Sequence, residues 1–198
     1  KGKIAYLKQD IKRFYYKYKM PTPPSCKYEI KICPFVDDAM YEFIQENSKS
    51  NLFCHSQKML NYETQYPFYI PSVLPDKIKT QNIFSDSCKT FVSNWIEVYI
   101  SDCLVGVYML KKRDNALSIN YLYYSDMGKT EVFNSIVENI RHSDTKYFET
   151  DDHNLAQYVA KYVYFPKHTI SKISLSLPKS VALPDSFTMQ LGDGDCWA

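Results

Sequence analysis

The spacing of apolar positions changes period several times along the chain, and each change marks an element. Between residues 91 and 124 three runs rich in β-branched and aromatic residues, FVSNWIEVYI, LVGVYMLKK and ALSINYLYY, are separated by the short polar stretches SDC and RDN. That pattern predicts a three-strand antiparallel meander. The period then lengthens: in TEVFNSIVENI, Val132, Phe133, Ile136, Val137 and Ile140 share one helical face. KYFET reads as a short strand, DHNLAQYVAKYVYF as a helix with Leu155, Ala156, Val159 and Val163 inward, and HTISKISLSLP as a further strand.

Upstream, KYEIKIC alternates as a strand does. PFVDDAMYEFIQEN reads as a helix, with Pro34 near its start, acids in its first turns, and Val36, Met40, Phe43 and Ile44 on one side. Pro67, Pro71 and Pro75 interrupt the pattern over 48–90, where a short helix near 56–62 and otherwise loops are expected. At the front, Ile4, Leu7, Ile11, Phe14 or Tyr15, and Tyr18 recur at three- and four-residue steps, a helical stripe that MPTPPSC ends. A strand–helix–strand crossover after an antiparallel meander makes the sheet mixed. The expected fold is therefore α/β (α+β), a mixed, largely antiparallel central sheet flanked by helices. The expected divisions are a linking helix over 1–20, a proline-rich linker over 21–26, one domain over 27–178 and a tail over 179–198.

Composition adds little to this picture. The 198 residues are 45% hydrophobic and 23% charged with 5 Gly, ordinary values for a globular protein. Tyr is abundant at 18, and most of these rings are expected to be half-buried with a wet hydroxyl. Net charge is +2, yet nine Lys/Arg between Lys1 and Lys31 face only Asp10 and Glu29, an excess that suits an anionic partner or a solvated helix face. The six Cys form no C-x-x-C pair and keep no regular spacing with the four His, which argues against zinc and a disulfide framework and for reduced thiols in a cytoplasmic protein. No apolar run is long enough for a membrane span, and the basic start lacks a signal peptide's apolar stretch. The chain opens without Met, as a processed or truncated chain would, and the front helix reads as the tail of something that preceded it.

The candidate chemistry is sparse. Gly128-Lys129-Thr130 sits between a strand and a helix, but a phosphate-binding Walker A loop needs Gly five residues earlier, where Tyr123 stands. Glu97, between Trp95 and Tyr99, is a candidate base if its strand face borders a cleft; otherwise Ser93, Trp95, Glu97 and Tyr99 form the wetter face of a two-faced strand. His55, His142, His153 and His168 stand in no catalytic setting, and G-x-S-x-G is absent. The terminal GDGD carries too few oxygens for a Ca²⁺ loop, so a packed turn is expected.

The element order over 27–178, a long meander feeding a helix and then a short strand, resembles the GNAT acyltransferase superfamily, and the helix and linker in front resemble the C-terminal half of a tandem-GNAT protein. The resemblance implies an acyl-CoA co-substrate, no metal, and acyl transfer to an amine. In that family a Q/R-x-x-G-x-G/A loop follows the meander, because glycines let backbone approach a pyrophosphate and helix-start N–H groups point at its charge. Laid on 125–130, the loop has Ser125 for Gln/Arg, Gly128 for the first Gly and Thr130 for the Gly/Ala. The resemblance thus assigns Tyr123, Gly128, Lys129 and Thr130 to the cofactor. Lys129 adds positive charge, and Glu131 opposes it.

Aligning Phe165 with the family's Gly-Phe pair puts Tyr164 at the Gly, Ala160 at the general-acid Tyr and His153 at the helix-start Asn. Tyr158 then becomes the substitute acid and Glu97 the base. Three functions follow: an acyltransferase with a degenerate cofactor loop, a non-catalytic module packed on an N-terminal partner domain of the same chain, and nucleic-acid binding through KRFYYKYK. The last is the least supported, for want of a known binding motif. Homo-oligomerisation stays open.

Overall fold

A computed structural model describes residues 15, 19–48, 51, 53–65, 69–71, 86–88, 90–165 and 189–190. In chain order the elements are β1 (Glu29–Cys33), α1 (Asp38–Asn47), α2 (Gln57–Gln65), β2 (Tyr69–Pro71), β3 (Asp86–Cys88), β4 (Phe91–Ile100), β5 (Cys103–Arg113), β6 (Ala116–Tyr124), α3 (Lys129–His142), β7 (Tyr147–Thr150) and α4 (His153–Tyr162). The expected strand after α4, most of the tail and most of the N-terminal helix lie outside the described residues, although Tyr15 and Lys19 are helical. One correction concerns the stretch expected to be loops, where β2 and β3 pair in parallel as a separate two-stranded sheet.

The main sheet has the order β1-β4-β5-β6-β7, antiparallel throughout except for the parallel pair β6 and β7. Its first hairpin turns at Ser101 and Asp102, whose φ angles of 48° and 65° are the left-handed pair that a two-residue hairpin needs. Strand alternation then sorts the side chains into two cores. Ile96, Val98, Tyr108, Leu110 and Leu122 lie under α3 and α4, together with all five apolar positions expected on the inner face of α3. Trp95, Val107, Met109, Tyr121 and Tyr123 lie under α1 and α2 with Met40, Ile44 and Leu60. On α4, Leu155 and Val159 are buried as expected, whereas Ala156 is exposed.

A bulge decides the geometry of β6. Met109 pairs with Tyr121 and Leu110 with Ile119, which leaves Asn120 as the extra residue. Ile119 and Tyr121, two apart, would otherwise point the same way; the bulge sends them into opposite cores. The parallel ladder with β7 ends at the same place, at Ile119 and Thr150, while β6 runs on to Tyr124.

Helix α3 lies close on the sheet. A Cβ on Gly106 would collide with Val132 Cγ2, and one on Gly128 would sit 2.6 Å from the Val105 carbonyl oxygen. The proline-rich linker straps the outside of α3: Asn134 Nδ2 donates to the Pro24 carbonyl at 2.9 Å, and Arg141 donates to that of Pro21 at 3.0 Å. Gly106→Ala should lower stability by about 1–3 kcal/mol in urea unfolding, the usual cost of overpacking. In a Val132→Ala background the added methyl has room and the penalty should shrink; an equal penalty in both backgrounds would contradict the assigned contact.

Candidate functional site

The stretch of β6 beyond Ile119, where pairing with β7 ends, carries the backbone groups that best offer themselves to a ligand. Past the bulge, Leu122 directs both its N–H and its C=O away from β5, and both are buried. They meet the carboxamide of Gln190, whose Oε1 accepts from the Leu122 N–H at 3.1 Å and whose Nε2 donates to the Leu122 carbonyl at 2.9 Å. Beyond Leu122 the strand enters the turn before α3. Ser125 N–H donates to the Val105 carbonyl and Gly128 N–H to the Ser125 carbonyl, which hold the turn on the sheet. The first N–H groups of α3 have no earlier helical carbonyl to bond, and they give this end of β6 a positive potential.

At the end of β6, the Tyr124 hydroxyl donates to Asp152 Oδ2 at 3.3 Å, and Asp152 Oδ1 caps α4 by accepting from Leu155 N–H at 2.7 Å. Burial, and then the charge of Asp152, pushes the Tyr124 phenol up to about 12. It therefore keeps its proton at neutral pH and acts as a donor, not a base.

The residues expected at the cofactor loop divide here. Lys129 stands near the end of β6, its Nζ 5.8 Å from the Tyr124 ring centroid and 5.7 Å from that of Phe133. Thr130 is exposed in the first turn of α3. Gly128 packs on Val105, so its missing Cβ serves helix–sheet contact. Tyr123 points into the opposite core, under α1. Glu131 Oε2 is buried with no hydrogen-bond partner among the described residues, and its charge acts on Cys26 and Tyr158.

The expected base and acid sit on opposite sides of the sheet. The wetter-face reading of β4 is corrected, since Trp95 is 0% and Glu97 1% exposed beneath α1 and α2. Glu97 Oε2 pairs with Lys31 Nζ at 3.0 Å and accepts from the Cys33 thiol at 3.2 Å, both from β1. Burial, and then the hydrogen bond and charge of Glu97, pushes the Cys33 thiol up to about 11. Tyr158 lies beneath neither strand of that cluster. On the α3/α4 side it packs edge-on against Phe133 and donates to Asn134 Oδ1 at 2.6 Å. Burial raises its phenol above the ordinary range. Two groups separated by a sheet cannot serve one reacting carbon, which a base and an acid must both reach within hydrogen-bond distance.

Sequence reasoning passed over a third polar group. Tyr121 donates to Glu63 Oε1 at 2.5 Å, Lys111 Nζ stands 3.8 Å from Glu63 Oε2, and Trp95 stacks on Tyr121 while donating to Thr64. Glu63 and Thr64 lie in α2, Trp95 in β4, Lys111 in β5 and Tyr121 in β6, so no local motif announced them. Gln190 and the Leu122 backbone were equally silent. A shallow hollow lined by Met20, Arg141, Thr145, Tyr162 and Phe165 lies at the far end of α3, about 20 Å of helix from Lys129. Among the described residues no three His, Cys, Asp or Glu side chains group as a metal site, and no helix is long and apolar enough to cross a membrane.

At pH 8 the Cys33 thiol should alkylate on the order of 100-fold more slowly than exposed Cys54 and Cys103, because so little of it is thiolate. Glu97→Gln should speed Cys33 selectively in a mass-spectrometric time course; an unchanged rate would contradict the part assigned to Glu97 beside burial. The raised thiol contributes stability that is whole below the unfolded value of about 8.5 and is lost as pH rises through the folded one.

No protein-family model matches the chain, and no curated protein matches it. Solved structures do. A ribosomal-protein-alanine N-acetyltransferase from Brucella melitensis biovar Abortus is 8% identical over 76% of this chain and 100% of its own, with a TM-score of 0.43. An aminoglycoside acetyltransferase from an uncultured soil metagenomic sample is 8% identical over 77% and 100%, with a TM-score of 0.40. The PaiA N-acetyltransferase of Thermoplasma acidophilum, in complex with coenzyme A, is 12% identical over 59% and 72%, with a TM-score of 0.31. Each of the three is an acetyltransferase, and at this distance the likeness is one of shape, so the chemistry has to come from this chain's own residues.

Proposed function

We propose that the chain is a GNAT-type module that binds acyl-CoA along the edge of β6 beyond its ladder with β7 and presents the acyl group to an amine. The observation that carries this reading is the Leu122 peptide group, turned away from β5 just past a bulge that lies where the ladder with β7 ends. The pantetheine arm of CoA is peptide-like, with amides that each bring one N–H and one C=O. The slot suits such a group, since a carboxamide already fits it with both hydrogen bonds made.

Leu122 would hold an amide of the arm, and Lys129 with the first N–H groups of α3 would face its phosphates. Glu131 beside Lys129 reduces what the charge contributes, so the strand edge supplies more of the affinity than the turn does. When bound, acyl-CoA supplies an activated thioester carbon. The chain's part is to hold that carbon in place. Tyr124 donates its hydroxyl proton to Asp152, and Glu97 and Tyr158 are engaged by Lys31, Cys33 and Asn134 elsewhere. Positioning, worth up to about 7–11 kcal/mol in well-oriented reactions, is what such a site can offer without a dedicated base.

Calorimetric titration with acetyl-CoA should show saturable binding. Lys129→Ala should weaken it and Glu131→Gln tighten it, each by about 3- to 10-fold, in line with single charge contacts near a helix start. Pantetheine, which lacks phosphates, should respond to neither substitution. Absence of heat and of a thermal shift at millimolar acetyl-CoA would overturn the reading.

A further inference from the structure

The main sheet ends on one side at β7 and on the other at β1. Antiparallel pairing alternates: one residue sends its N–H and C=O to the strand on one side, and the next residue sends them to the other. That alternation fixes which groups β1 leaves outside. Leu122 gives both of its groups to Gln190, so Tyr108, opposite it, turns its own toward β4, where Ile96 faces it. Ile96 is thereby bonded to β5 and offers nothing to Ile32 across the β1 ladder. Ile32, and Ile30 two residues before it, therefore direct their N–H and C=O groups out of the sheet.

Their side chains are exposed as well, Ile32 at 61% and Ile30 at 47%. Among the described residues nothing pairs with this edge, since β1 has β4 as its one neighbour. Sheets usually blunt an open edge with a charge, a bulge or a covering element. The charge available here, Lys31, is held on the other face by Glu97 at 3.0 Å. The edge is short, five residues long, and Pro34 beyond it has no N–H with which to extend a ladder.

We propose that β1 is a pairing edge for a second copy of this chain, the two β1 strands running antiparallel about a two-fold axis at Ile30 and joining two five-stranded sheets into one. The sequence around Ile30 is its own complement. In that register Ile30 meets Ile30 of the second copy, Glu29 meets Lys31, and Ile32 meets Tyr28. Opposite charges then stand across from each other on one face and apolar side chains on the other, the cross-strand pairs that stabilise a sheet. Centring the axis on Lys31 would instead set Lys31 against Lys31, a destabilising pair of like charges. Charge thus selects both the occupant and its register. A two-fold contact closes on itself, so the product is a dimer and not a fibre. The inference uses the edge opposite β7 and does not depend on the acyl-CoA reading.

The test is sedimentation velocity from micromolar to millimolar protein, with residue-resolved amide hydrogen exchange over the same range. Wild type should pass from monomer to dimer as concentration rises. Glu29→Lys turns both charge pairs into repulsions and should weaken the dimer on the order of 10-fold, and Ile30→Lys should leave only monomer. Both positions are exposed, so the monomer should keep its fold, which circular dichroism checks. Tyr147→Lys, at the equally exposed β7 edge, should leave the dimer unchanged. As the dimer forms, the Ile30 and Ile32 amides should exchange more slowly, while those of Glu29 and Lys31, already bonded to β4, keep their rates. Monomer at millimolar protein, a dimer that Glu29→Lys does not weaken, or Ile30 and Ile32 exchange that is independent of concentration would each overturn the proposal.

Discussion

A buried peptide group has to be paired, and the Leu122 peptide lies on a strand whose neighbour has left. That one requirement organises the functional end of the molecule. The bulge at Asn120 lies where the β6–β7 ladder ends and turns Ile119 and Tyr121 to opposite sides. Because β7 ends at Thr150, the last five residues of β6 run on without pairing to it. Because that edge is backbone, whatever pairs with it has to look like a peptide. Gln190 meets that condition within the chain, and an amide of the acyl-CoA proposed above would meet it from outside.

The sheet also divides the ionisable groups. On the α1/α2 side, Glu97 is the buried centre of a contact with Lys31 and Cys33, and Glu63 joins Tyr121 to Lys111. On the α3/α4 side, Asn134 collects the linker through Pro24 and α4 through Tyr158. These are ties between elements: Glu97 fastens edge strand β1 to the meander, and Asn134 fastens α4 and the linker to α3. Removing one member of such a buried polar tie leaves the other without its hydrogen bond, so these positions carry structural weight whatever their part in chemistry.

Much of the fold was legible in the sequence because it is written in local periodicity. FVSNWIEVYI, LVGVYMLKK and ALSINYLYY gave three strands within a residue or two of those observed, and the inner face of α3 was read correctly at all five positions. Misreadings arose where a distant element decides. Glu97 looked like a marker of a wet face, yet α1 and α2 cover it and Lys31 neutralises it from another strand. Gly128 looked like a loop glycine open to phosphate, yet Val105 occupies the space beside it. The site itself was the least legible part. The run into Gly128 pointed to the turn after the meander, whereas the group proposed to bind ligand is the backbone of Leu122, which no side-chain identity can advertise, and its partner is a glutamine with no motif around it.

The central claim is that the edge of β6 beyond the bulge is an amide-binding slot. Backbone-amide NMR of the protein titrated with pantetheine, which brings the amides without the phosphates, examines it most directly. The largest shifts should fall on Leu122 and its neighbours from Asn120 to Tyr124, with the side-chain amide of Gln190 moving at the same ligand concentrations. Shifts confined to the hollow around Arg141, Thr145 and Phe165, or none at saturating pantetheine, would contradict it.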